Sequence, residues 1–246
     1  MRNLIEVDRV SKSFQVPSAR RETVRDHLFN LFRPRTFQKL QVLDQVSLTL
    51  VQGANLGVMG RNGSGKSTLL KILCGIYQPD QGAVTVRAPL TPILELGAGW
   101  NPELDAIDNI LLIGTVMGLR LDEARAAVDE ILAFADLAPF AKLELKHYSS
   151  GMAARLAYSV AFKAVRGILV LDEVFAVGDV GFRARCEERF RELNGEGHTM
   201  VLVSHSPDQV ARFCEHAILI EGGKVALQGS GAEVAAAYSQ MLLEAG

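Results

Sequence analysis

Eight consecutive residues, Gly60-Arg-Asn-Gly-Ser-Gly-Lys-Ser67, constrain this chain more than any other stretch. The apolar run Leu56–Met59 leads into them, and Thr68 to Cys74, with apolar residues at helical spacing, leads out. Glycines at 60, 63 and 65 allow the backbone to curl until several N–H groups aim at one point. The helix that follows sets its positive dipole end at the same place. Lys66 adds a mobile cation for β- and γ-phosphates, Ser67 offers a hydroxyl to Mg²⁺, and Asn62, Ser64 and Thr68 complete the loop. A strand, a glycine loop and a helix in that order read as a nucleoside-triphosphate site in an α/β fold.

The remaining pattern extends that fold. Ile168–Leu171 and Met200–Val203 are two more short apolar runs, each followed by a polar turn and a helical pattern, as buried parallel strands are. Val42–Leu50 and Gly82–Arg87 alternate apolar with polar residues and predict antiparallel strands near an edge. Helical periodicity dominates from about Asp105 to Phe162, so a helical subdomain, with its flanks about residues 100–165, interrupts the core. Glu233–Leu243 reads as a final helix. The expectation is one α/β domain over residues 1–246: a mostly parallel core sheet, an antiparallel edge sheet and an inserted helical subdomain.

Residues 17–41 stand apart. Arg20, Arg21, Arg25, Arg33, Arg35 and Lys39 face only Glu22 and Asp26, a local excess of four positive charges. Val24, Leu28, Leu31 and Phe32 recur at helical spacing, which predicts a short basic amphipathic insertion. Such a helix is either a solvated surface element or a contact for a membrane surface or an anionic partner.

Composition excludes several classes. Lys and Arg number 26 and Asp and Glu 28, so no overall basic field points to nucleic acid. No window holds the roughly 18–20 uninterrupted apolar residues of a membrane span; the best, Ile110 to Leu119, is broken by Gly114, Thr115 and Gly118. Glu6 and Asp8 stand where a secretory signal needs an apolar run. Cys74, Cys186 and Cys214 are far apart and in no metal-ligand spacing, which suits a reducing compartment.

The strand Ile168–Leu171 ends in Asp172 and Glu173. An acid at a strand's C-terminal end suits Mg²⁺, and the next acid along is placed to polarise an attacking water. Ser149 stands 23 residues before Asp172, within Tyr148-Ser-Ser-Gly-Met152, and opens the helical pattern AARLAYSVAF. This segment resembles the LSGGQ signature of ATP-binding-cassette (ABC) ATPases, with Ser149 and Gly151 at its Ser and second Gly. Ala176-Val-Gly-Asp179 resembles the D-loop of that family, with Asp179 as its acid. His205, 33 residues after Asp172, resembles the switch histidine. Phe14 resembles the aromatic that stacks on adenine, with Phe37 as its competitor. The likeness runs from Leu4 to Tyr238.

The resemblance implies a P-loop NTPase of the ABC type that uses ATP and Mg²⁺ and works as a homodimer. Each ATP is then held by Lys66 and Ser67 of one copy and by Ser149 and Gly151 of the other. Glu173 and His205 set up hydrolysis, and Ser67, Asp172 and Glu95 are the Mg²⁺ candidates. The motion passes to a separate polytopic permease through the loop from Glu95 to about Asp108, with Trp100 expected at that interface. Two residues depart from the family pattern: Glu95 replaces the Q-loop glutamine, 29 residues after Lys66, and Met152 replaces the last residue of the signature.

Within the family, Leu94-Glu-Leu-Gly-Ala-Gly99, Tyr148–Met152 and Val174-Phe-Ala-Val-Gly-Asp179 resemble the ATPase subunits of polysaccharide exporters, which move O-antigen, capsular or teichoic acid polymers. The insertion at 17–41 resembles that subfamily too. The implied role is ATP-driven export of a lipid-linked polysaccharide, with the chain peripheral on the cytoplasmic face of the inner membrane. Another cargo (drug, lipid or ion) is the alternative. A soluble ABC ATPase on ribosomes or DNA fits less well, since there is no second cassette or long coiled coil. The signature and Asp179 speak against a small-molecule P-loop kinase. No carbohydrate-binding domain is expected between the final helix and Gly246.

Overall fold

The computed structural model describes residues 2–17, 37–93, 99–172 and 179–244. Two long strands come first, β1 (Asn3–Pro17) and β2 (Phe37–Val51). β3 (Asn55–Met59) runs into the glycine loop and helix α1 (Lys66–Leu73) leaves it. β4 (Gln81–Val86) and β5 (Leu90–Ile93) precede three helices, α2 (Ala106–Val116), α3 (Leu121–Ala135) and α4 (Ser150–Lys163). β6 (Ile168–Asp172), α5 (Val180–Gly195), β7 (Thr199–Val203) and α6 (Pro207–Phe213) follow. β8 (His216–Glu221), β9 (Lys224–Ser230) and α7 (Gly231–Glu244) complete the described chain.

The strands form two sheets. β2-β1-β4 is antiparallel, and β5-β6-β7-β3-β8-β9 is parallel except for β9. The three apolar runs are therefore adjacent strands in the order β6-β7-β3. They are buried on both faces, which is why they read as continuous apolar runs. Their side chains still alternate. Leu56, Val58, Val170 and Val201 turn toward the antiparallel sheet and α1, meeting Ile5, Leu43 and Leu69. Met59, Leu169, Leu171 and Leu202 turn toward the opposite helices, meeting Phe182, Phe190 and Phe213.

Helices α2, α3 and α4 enclose a separate core around Ile110, Ile131, Leu156 and Val160. Local chemistry starts the first two. The Asp105 carboxylate accepts from Asp108 N at 2.9 Å, and the Glu123 carboxylate from Arg120 N at 2.8 Å. The run Ile110 to Leu119 is α2 and its following turn, with Leu112 and Val116 exposed. Among the described residues no helix is long and apolar enough to cross a membrane.

One expectation changes. Pro17 and Phe37–Gln41, counted with the helical insertion in the sequence, are strand: β1 and β2 pair as far as Pro17 opposite Phe37. Main-chain pairing along the ladder outweighs the helical spacing at those ends. The remainder of the insertion lies outside the described residues. Trp100, expected at a permease interface, is half-buried: part of the side chain packs on the core of the helical subdomain and part stays exposed.

Candidate nucleotide site

Register sets the site at one end of the core sheet. Val203 is the partner of both Asp172 and Val58, so the C-terminal ends of β6, β7 and β3 lie level. The glycine loop, Asp172 and His205 all follow those ends, the usual place for a ligand in an open α/β sheet. Gly60, Gly63 and Gly65 all have positive φ, and at Gly65, with φ 109°, a Cβ would land 2.8 Å from the Val42 carbonyl oxygen. Asn62 is exposed on the loop and Thr68 is half-buried on α1.

Gly65 is also the N-cap of α1 and, having no side chain, leaves the first turn's N–H groups uncapped. Lys66 is buried and lies across the loop, donating from Nζ to the Gly60 and Arg61 carbonyls at 2.7 and 3.0 Å. The Ser64 hydroxyl is buried with no hydrogen-bond partner. A buried unpartnered hydroxyl is unfavourable, and a phosphate oxygen would satisfy it. Uncapped helix start, loop cation and orphan hydroxyl together fit a bound phosphate chain.

Ser67 Oγ donates to Asp172 Oδ2 at 3.2 Å. These are two hard oxygens, and among the described residues no cluster of three or more His, Cys, Asp or Glu forms a metal cage. That sparse donor set fits Mg²⁺, which keeps several waters and takes its other ligands from substrate phosphates.

Ser149 caps α4, accepting from Met152 N at 3.2 Å. Gly151 lies in the first turn, where a Cβ would meet only Ser149 Oγ, at 3.9 Å. Packing within the chain does not demand glycine there. Asp179 caps α5 by accepting from Phe182 N at 2.8 Å. That bond, helped by Arg155, holds its carboxyl below the usual carboxylate range. Arg155 on α4 lies 3.7 Å from Asp179 and 3.9 Å from Asp136, joining the helical subdomain to the start of α5.

His205 follows β7, and its Nδ1 lies 3.2 Å from the Tyr238 hydroxyl on α7. Phe14 packs edge to face on Tyr77, centroids 5.4 Å apart, with Lys12 over its ring. Phe37 is more than half exposed at the far end of the hairpin. Glu173 and Glu95 lie outside the described residues.

Three contributors are not legible as motifs. Tyr77, in the bend after α1, and Tyr238, on α7, each reach a predicted site residue from a distant part of the chain. The third, Asn109, is fully buried in α2. Its side-chain amide donates to the carbonyls of Asn101, Leu104 and Asp105 and accepts from Asn101 N, all within 3.1 Å. It thereby fixes the loop that leads from Gly99 into the helical subdomain. A buried polar residue on an otherwise apolar helix face is the one sequence signal it gives.

A protein-family model described as ABC transporter matches residues 43–176. The O-antigen export system ATP-binding protein RfbB of Myxococcus xanthus is 38% identical over 239 residues, covering 95% of this chain and 55% of that protein. The teichoic acids export ATP-binding protein TagH of Staphylococcus epidermidis is 33% identical over 238 residues, covering 97% of this chain and 89% of that one. This chain thus spans about half of the first relative and most of the second. Among solved structures, the dimeric post-hydrolysis state of the ATP-binding cassette MJ0796, bound to ADP and Pi, superposes with a TM-score of 0.74 at 22% identity. It covers 92% of this chain and 98% of that one, and at that identity it speaks for the fold.

Proposed function

The chain belongs to the ABC transporter family, and from that premise we propose that it is the ATP-hydrolysing subunit that powers export of a polysaccharide through a separate membrane-spanning permease. The observation that carries the hydrolytic half is the bond between Ser67 and Asp172 beside the uncapped start of α1. The cargo half draws support from relatives named for O-antigen and teichoic acid export. The basic composition of residues 17–41 also suits an anionic, lipid-linked chain.

The proposed roles follow from position. The loop N–H groups, Ser64 and Lys66 bind and orient the triphosphate of ATP. Phe14, backed by Tyr77, offers a ring face to the adenine. Ser67 and Asp172 would hold Mg²⁺, with Glu95 a further candidate; the ion supplies charge neutralisation at the β- and γ-phosphates. Glu173 takes a proton from the attacking water and His205 steadies the γ-phosphate. Ser149 and Gly151 present an N-terminal helix turn to the γ-phosphate held by a second copy, with Asp179 at the seam, so the triphosphate favours the closed homodimer. We place the chain on the cytoplasmic face of the membrane, held there by its permease.

The test is deletion of the gene in the producing cell, with chemical analysis of what accumulates inside. An undecorated surface and an intracellular lipid-linked glycan are expected. Accumulation of another lipid or a drug would reassign the cargo. Co-purification with ribosomes or DNA in place of a polytopic membrane protein would overturn the transport reading.

A further inference from the structure

We infer that Tyr238 is a positioning residue for hydrolysis: it holds His205 by Nδ1 and so favours the ring tautomer that presents an Nε2 proton to the γ-phosphate. The inference rests on the ATPase reading of the site. Tyr238 lies 33 residues beyond His205, on the last described helix, yet its hydroxyl comes within 3.2 Å of Nδ1. A neutral imidazole carries one proton, and the partner of one nitrogen decides where it sits. A tyrosine hydroxyl can donate or accept; in the proposed arrangement it donates to Nδ1, which places the ring proton on Nε2, from where it can be given to a phosphate oxygen.

The packing makes Tyr238 a rigid support. It is 3% exposed, in the same core as Phe213, Val234 and Ala235. Its helix packs on α6, β8, β9 and β3, and β3 is the strand that carries the phosphate loop. The His205 backbone is held as well: Ser204 Oγ donates to Gln209 Oε1 at 2.6 Å and accepts from Ser206 N at 3.0 Å. Ring and backbone are thus tied to separate elements that meet at one end of the sheet. A hydroxyl in a core needs a partner in any case, so the test must separate support of the ring from simple satisfaction of the tyrosine.

The variant is Tyr238→Phe in the full chain, which keeps the ring and removes the hydroxyl. The first readout needs no turnover: ¹⁵N-resolved imidazole spectra of the nucleotide-free protein, above the imidazole pKa, with His205→Gln identifying the signal. The wild type should show the Nε2–H tautomer at His205, and Tyr238→Phe a measurably larger share of the Nδ1–H form. The second readout is kinetic: kcat should fall about fivefold or more with KM for ATP held within about twofold. In a His205→Ala background the same change should have no further effect on the residual rate. An unchanged tautomer, or an equal kcat loss without His205, would overturn the inference. Absence of ATPase activity in the wild type would count against the ATPase reading, while the tautomer measurement would still decide the pairing.

Discussion

Ser67 Oγ donates to Asp172 Oδ2 across 3.2 Å, although 105 residues separate them in the chain. The bond ties the first turn of α1 to the end of β6 and leaves both oxygens at the edge of solvent. Ser67→Ala should raise the Mg²⁺ concentration for half-maximal ATP hydrolysis and lower kcat/KM at least about tenfold. Global stability should change by no more than about 1 kcal/mol, since a partly solvated hydrogen bond contributes little net. Mg²⁺ titration of phosphate release and a urea denaturation curve measure the two effects.

Gly65→Ala should damage fold and site together. The added Cβ would stand 2.7 Å from Leu43 Cδ2 and 2.8 Å from the Val42 carbonyl, at a φ of 109° that side chains avoid. A loss of about 2–3 kcal/mol is expected from strain and displacement combined. It is read from the denaturation midpoint, with nucleotide affinity falling in parallel.

Glu173→Gln keeps the shape of the side chain and removes its basicity. ATP binding should persist while hydrolysis collapses, and a dimer should accumulate on addition of ATP. Gel filtration with and without nucleotide, beside a phosphate-release assay, reports both. Hydrolysis at the wild-type rate would show that Glu173 is not the base.

Asp80 predicts an acid limb in stability. It accepts from Ser13 N, Ser13 Oγ and Lys12 Nζ, and these bonds, the Ser13 hydroxyl foremost, hold its carboxyl down at about 2. A folded-state pKa below the unfolded one gives a contribution that is complete above about pH 4 and lost as the pH falls toward 2. Melting temperature followed over that window should fall less steeply in Asp80→Asn than in the wild type. Because Ser13 adjoins Phe14, the same variant tests whether this clamp supports the proposed adenine contact.

Charge reversal at Arg20, Arg21 and Arg25 separates export from hydrolysis. Surface polymer should decline while ATPase activity of the purified chain stays at the wild-type rate. An unchanged polymer yield would remove the basic segment from the transport pathway.

The amino-acid sequence by itself determined the elements whose signals are local. The glycine loop, the apolar runs of β3, β6 and β7, the acid ending β6, and the Ser149 segment that opens α4 each depend on a few neighbouring residues. Their chemistry shows in short windows because phosphate cradles and helix starts are made from consecutive backbone groups. Tertiary structure alone decided which strand ends stand together, and hence that Ser67 meets Asp172 and that Tyr238 meets His205. It also decided how far β1 and β2 pair beyond Val42 and how Asn109 locks the loop at 101–105. Those relationships depend on sheet register and on helices closing over the sheet from distant parts of the chain. Periodicity within a segment states which face is apolar, but not which neighbour will cover it.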